Sequence, residues 1–110
     1  MQIKVTQAFL KSAKPLAKKY RSFNQDYQDL LDELEKNPKS GTDLGDGFHK
    51  VGMAIESKGK GKSGGCRVIT LDTLLKNDTL YLMEIYDKSD SESIKIGVLK
   101  ERARQLGMID

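Results

Sequence analysis

The chain has no tryptophan, a single cysteine, a single histidine and two prolines. Cys66 has no partner for a disulfide within the chain, and with His49 as the only histidine a zinc site built from Cys and His ligands is excluded. Two prolines in a chain that is 37% hydrophobic and 32% charged exclude the proline-rich, low-hydrophobicity composition of a disordered protein, so a packed core is expected. Long apolar runs are missing as well. Stretches such as Val68-Ile69 and Leu80-Tyr81-Leu82-Met83 fall far short of the roughly 20 residues that cross a bilayer. Met1-Gln2-Ile3-Lys4-Val5 lacks the apolar centre of a signal peptide, which predicts a cytoplasmic protein. A length of 110 residues predicts one domain, 1–110, with neither metal nor organic cofactor.

What is there is charge, unevenly placed. The net charge is only +3, but residues 1–25 carry six cations (Lys4, Lys11, Lys14, Lys18, Lys19 and Arg21) and no acid. Residues 57–71 carry Lys58, Lys60, Lys62 and Arg67, again without an acid, whereas residues 26–35 hold five acids and no base. Such blocks are often no more than solvated surface, but they also suit a polyanionic partner.

Residues 3–9 read as a short edge strand with Ile3 and Val5 on one face. Ala13, Leu16, Ala17 and Tyr20 follow at helical spacing, with Ser12 as the N-cap and Pro15 in the first turn. Tyr27, Leu30, Leu31 and Leu34 repeat that spacing behind a Ser22/Gln25 capping box, and Asn37-Pro38 ends the helix. Val51, Met53 and Ile55 alternate as in a half-buried strand. Residues 67–75 and 79–86 are rich in β-branched and aromatic side chains, and the intervening Lys76-Asn77-Asp78 suits a hairpin turn. Ser89 and Glu92 form another capping box before Ile96, Leu99, Ala103 and Leu106, and Gly107 stops that helix. The order β-α-α-β-β-β-α predicts an α+β domain with a mostly antiparallel sheet, an N-terminal helical hairpin and a C-terminal helix, the helices on one face.

The segment Ser57-Lys58-Gly59-Lys60-Gly61-Lys62-Ser63-Gly64-Gly65-Cys66-Arg67 stands out. If it is extended, its three alternating lysines share a face, and its glycines admit close backbone approach. Gly61-Lys62-Ser63 matches the end of a P-loop, but Glu56 stands where that motif needs glycine and the segment leads into a strand rather than a helix, so ATP binding is excluded. A solvated loop has the same composition. The functional alternative is RNA cleavage: attack of a ribose 2′-hydroxyl on the adjacent phosphate needs a base, positive charge on the phosphorane oxygens and an acid for the departing 5′-oxygen. Lysine and arginine meet the second need, and a lysine crowded by cations loses part of its preference for the charged form. Tyr86, followed by Lys88, closes the last strand and offers either a half-buried aromatic or a base-stacking platform. His49 reads as a packing residue or an acid/base, and Cys66 as a small buried strand residue.

Lys50-Val51, Met53-Ala54-Ile55, residues 57–65, Arg67-Val68-Ile69-Thr70 and Ile85-Tyr86-Asp87-Lys88-Ser89 together resemble the HigB-like branch of the RelE/HigB group of bacterial toxins. The resemblance implies a RelE-like fold, metal-independent endoribonuclease action on mRNA in the ribosome, and silencing by a cognate antitoxin of the helix-turn-helix type. It places Lys58, Lys60, Arg67, Tyr86 and Lys88 in the catalytic surface, and Lys50 and Lys62 in RNA binding. Two positions depart from the pattern. Gly52 stands where many relatives carry arginine, which removes a phosphate clamp and implies weakened cleavage, and Glu56 sets an anion beside the cations. A non-cleaving RNA- or antitoxin-binding module and a gyrase-directed toxin of the ParE kind are the alternatives.

Overall fold

The computed structural model describes residues 1–59, 61–90 and 94–109. Strand β1 (Gln2–Val5) leads into α1 (Gln7–Lys19) and α2 (Phe23–Lys36); β2 (Thr42–Gly45) and β3 (Phe48–Met53) follow. A 3-10 turn (Glu56–Lys58) and the one-turn helix α3 (Gly61–Gly64) lead to β4 (Cys66–Thr73), the one-turn α4 (Leu74–Asn77), β5 (Thr79–Asp87) and α5 (Ile96–Gln105). The fold is α+β, with a mixed sheet of order β1-β5-β4-β3-β2 in which β1 runs parallel to β5 and the other neighbours are antiparallel. No helix among the described residues is long and apolar enough to cross a membrane.

Several boundaries differ from the sequence reading. Helix α1 begins six residues before Ala13, because Thr6 rather than Ser12 caps it: the Thr6 hydroxyl accepts from the Phe9 N–H at 3.1 Å. Pro15 therefore lies inside the helix, not in its first turn. Ser22 stands at the N-cap of α2 but makes no capping bond, so the capping box is not formed there. The stretch 42–45, which its flanking glycines mark as loop, is an edge strand closed by a turn in which Gly45, Asp46 and Gly47 all have positive φ (88°, 55° and 87°). Residues 74–75 leave the sheet to form α4, with Leu75 fully exposed at the tip. The Ser89/Glu92 box involves a residue outside those described, and the cap position of α5 is Lys95. Leu106 lies beyond α5 and is exposed.

The helices do not share one face. Phe9 and Leu16 of α1 and Phe23, Leu30 and Leu34 of α2 pack on Val51, Met53, Val68, Leu82 and Ile85. Leu99 and Ala103 of α5 pack on Phe48, Ile69, Leu71 and Met83, the alternate residues of the same strands and hence the opposite face. This two-sided covering explains why Val68, Ile69, Thr70 and Leu71 are buried in succession.

Candidate functional site

The basic segment is not extended. Gly59 and Gly61 take positive φ (70° and 61°), and Glu56–Lys58 and Gly61–Gly64 form two separate turns, so Lys58 and Lys62 do not share the face that strict alternation would have given them. The turn is fastened to the start of α2. The Asp26 carboxylate accepts from the Glu56 N–H at 3.1 Å and from the Ser22 hydroxyl at 2.6 Å, while Ser22 Oγ accepts from the Ser57 N–H at 2.9 Å. Ser22 thus spends its oxygen on the turn rather than on its own helix end.

Each described cation of the segment has an internal partner. Lys58 Nζ lies 2.7 Å from Asp87 Oδ1 and 5.4 Å from the centre of the Tyr20 ring, with only 12% of its side chain exposed. Lys62 reaches Glu33 of α2 at 2.6 Å across a pair that is open to solvent. The Arg67 guanidinium donates to the carbonyls of Lys62 (2.8 Å), Cys66 (3.1 Å) and Ser63 (3.3 Å), bracing α3 against β4. Lys60 lies outside the described residues.

The sheet divides the sequence-selected residues between two faces. Register places Gly52 opposite Arg67 and Arg67 opposite Tyr86, and Lys50 shares their parity on β3, so Lys50, Arg67 and Tyr86 belong to the face on which α5 packs. Helix α5 covers that face as far as Glu84, which takes an ion pair from Arg102 at 2.9 Å. The Arg67–Tyr86 row is the last but one of the sheet, with both residues partly exposed and exposed Lys88 two residues beyond Tyr86. Among the described residues the Tyr86 hydroxyl and the ammonium groups of Lys50 and Lys88 have no hydrogen-bond or ion-pair partner. Gly52 lies against this arrangement without being required by it: a Cβ there would make ordinary contacts, 3.8 Å from Arg67 Nη1 and 3.5 Å from Lys62 Cβ.

Asp87, which sequence reasoning passed over, faces the other way, toward α1 and α2. Its carboxylate is fully buried and accepts from Lys58, from the Tyr20 hydroxyl, and from the Ser89 N–H (3.0 Å) and hydroxyl (2.8 Å). Burial alone would raise its pKa, but the hydrogen bonds from Lys58, Tyr20 and Ser89 outweigh that and hold the carboxyl well below the usual carboxylate range. The same hydrogen bond raises the Lys58 ammonium above its ordinary value, which keeps it charged and makes it a poor proton acceptor. The signal in the sequence was an acid set between Tyr86 and Lys88 at a strand end, where alternation sends it to the opposite face.

Burial pushes the Cys66 thiol up to about 11, so no reactive thiolate forms there. His49 is a packing residue, buried on β3 opposite Thr70; its Nδ1 and the Thr70 hydroxyl have no hydrogen-bond partner among the described residues. No three His, Cys, Asp or Glu side chains among the described residues come together as a metal site requires. A depression of about 80 Å³ between α2 and the edge of β3 is lined by Asp29, Glu33, Gly52 and Lys62, a mixed charge set that does not favour an anion. Neither models of known protein families nor curated protein sequences give a match to this chain.

Proposed function

We propose that this protein is a toxin of the RelE/HigB group, a metal-independent endoribonuclease that acts on mRNA in the ribosome and is held in check by a cognate antitoxin in the cytoplasm. The observation that carries the reading is the pairing of Arg67 with Tyr86 near an open end of the sheet, beside exposed Lys88, with Lys50 on the same face in the neighbouring row of Ile69 and Glu84. The α+β class, with two N-terminal helices and a sheet whose neighbours are antiparallel except for β1 and β5, supports the reading at the level of fold class.

The chemistry follows from these groups. Arg67, held by three carbonyls, is oriented before any substrate arrives, and an oriented guanidinium stabilises phosphorane charge without reorganising. Lys50 and Lys88 add charge along the RNA backbone, and the Tyr86 ring offers a surface on which an unpaired base stacks. Lys62 joins them once its solvent-exposed pair with Glu33 opens, since such pairs are worth only about 0–1 kcal/mol.

A non-cleaving RNA-binding module is the second reading. It is favoured by the engagement of Lys58 and Lys62 with acids and by the bare Gly52. Turnover separates the two. Ribosomes translating a defined message are expected to yield cut mRNA with the parent chain, and Arg67→Ala is expected to lower the rate about a hundredfold or more while binding persists. Intact message after prolonged incubation with a well-folded parent chain would leave only the binding module.

A further inference from the structure

Lys58 is the member of the basic segment least available to a ligand. Its side chain is 12% exposed, against 61% for that of Lys62, and its ammonium lies between the Asp87 carboxylate and the Tyr20 ring. Drawing it out toward a phosphate would leave the fully buried Asp87 carboxylate with the Tyr20 and Ser89 hydrogen bonds and a longer pair to exposed Lys19 at 3.8 Å, and losing the closest partner of a buried charge is more costly than opening an exposed pair. Asp87 in turn joins parts of the chain distant in sequence: the end of α1 through Tyr20, the turn 56–58 through Lys58, and the exit of β5 through Ser89. Tyr86, the preceding residue of β5, alternates to the other side of the sheet, and Lys88 follows beyond the strand end.

We propose that Asp87 is the positioning residue of the basic segment: its buried carboxylate holds Lys58, and through it the turn 56–58, so that Lys58 is an internal counter-ion and the phosphate-binding cations are Lys50, Lys62, Arg67 and Lys88. The second half of this statement rests on the RNA-directed reading above; the first half does not. The depressed titration of Asp87 and the raised titration of Lys58 agree with a pair that stays charged throughout the neutral range. Among the described residues, the side-chain hydrogen bonds that fasten the turn 56–58 to the rest of the fold are this pair and the Asp26/Ser22 contacts, so removing either set should loosen it without unfolding the sheet.

Two readouts on the full chain test the assignment: amide hydrogen exchange over residues 56–59, and the slope of ribosome binding against salt. Lys58→Met and Asp87→Asn are expected to speed exchange there by about tenfold or more. Lys58→Arg, which keeps a cation for Asp87, should restore protection. The salt slope of Lys58→Met should match that of the parent, because Lys58 neutralises no phosphate, whereas Lys62→Met should reduce it by roughly one unit. A slope lowered by about one unit in Lys58→Met with exchange unchanged would make Lys58 a phosphate ligand and overturn the proposal. Failure of the parent chain to bind ribosomes at any salt would sink the functional reading instead, and unchanged exchange in a folded Lys58→Met protein would then overturn the anchor by itself. If Asp87→Asn does not fold, the contrast between Lys58→Met and Lys58→Arg still decides.

Discussion

Gly52 on β3, ahead of the basic segment, and Gly65 near the segment's end look alike in the sequence and differ sharply in what surrounds them. A Cβ on Gly65 would lie 2.0 Å from the Met53 carbonyl oxygen, a backbone atom that has nowhere to go, whereas on Gly52 it would make only ordinary contacts of 3.5–3.8 Å. Gly65→Ala is therefore expected to lose at least the 1–3 kcal/mol or so typical of overpacking, and Gly52→Ala well under that, measured by urea unfolding. Equal losses would mean that residue 65 does not approach β3 so closely. Asp87 supports a pH prediction. Its carboxyl titrates lower folded than unfolded, so it contributes stability that is fully present above the ordinary value of 3.8 and is lost as pH falls below it. Asp87→Asn should thus lower stability at neutral pH and flatten the acid limb of the stability curve. A parallel acid limb in parent and variant would contradict the carboxylate's partners.

The elements show how much of the fold could be read in advance. Helical spacing located α1, α2 and α5, and alternation located β3, because those periodicities record which side of each element is apolar. Periodicity does not say which layer an apolar stripe meets. Leu99 and Ala103 give α5 its stripe, but only the unbroken burial of residues 68–71 assigns it to the second face, and a run of apolar and β-branched residues was the legible trace of that. Strand β2 was hidden because its turn is built from residues that tolerate positive φ, which resembles loop composition. The alternating lysines of the basic segment share a face only if the intervening glycines stay in the β region, and the positive φ of Gly59 and Gly61 shows that they do not. Of the site, Arg67 and Tyr86 were legible as strand residues, whereas the Asp87–Lys58 pair spans 29 positions and no local pattern encodes it. Truncating Leu99 to Ala tests the second layer. It should cost about 2–5 kcal/mol, as in other packed cores, and an exposed-site cost below about 0.5 kcal/mol would mean that α5 is not seated on the sheet.

At the scale of the whole molecule, two basic surfaces compete for the role of RNA-facing side. The outer side of α1 carries exposed Lys11, Lys14 and Lys18, on the layer opposite the one that holds Lys50, Arg67 and Tyr86. The molecule measures 39 × 28 × 22 Å, and its sheet lies between the two surfaces. The central claim is that the sheet-end face meets the RNA, with Lys58 spent on holding the segment in place. The most direct test is ribosome affinity as a function of salt for two sets of variants: alanine at Lys50, Arg67 and Lys88, and alanine at Lys11, Lys14 and Lys18. The account predicts that the first set lowers the slope of log K against log salt by roughly 0.7–0.9 for every phosphate no longer neutralised and that the second leaves it near the parent value. A slope that falls with the α1 set and persists with the sheet-end set would contradict it.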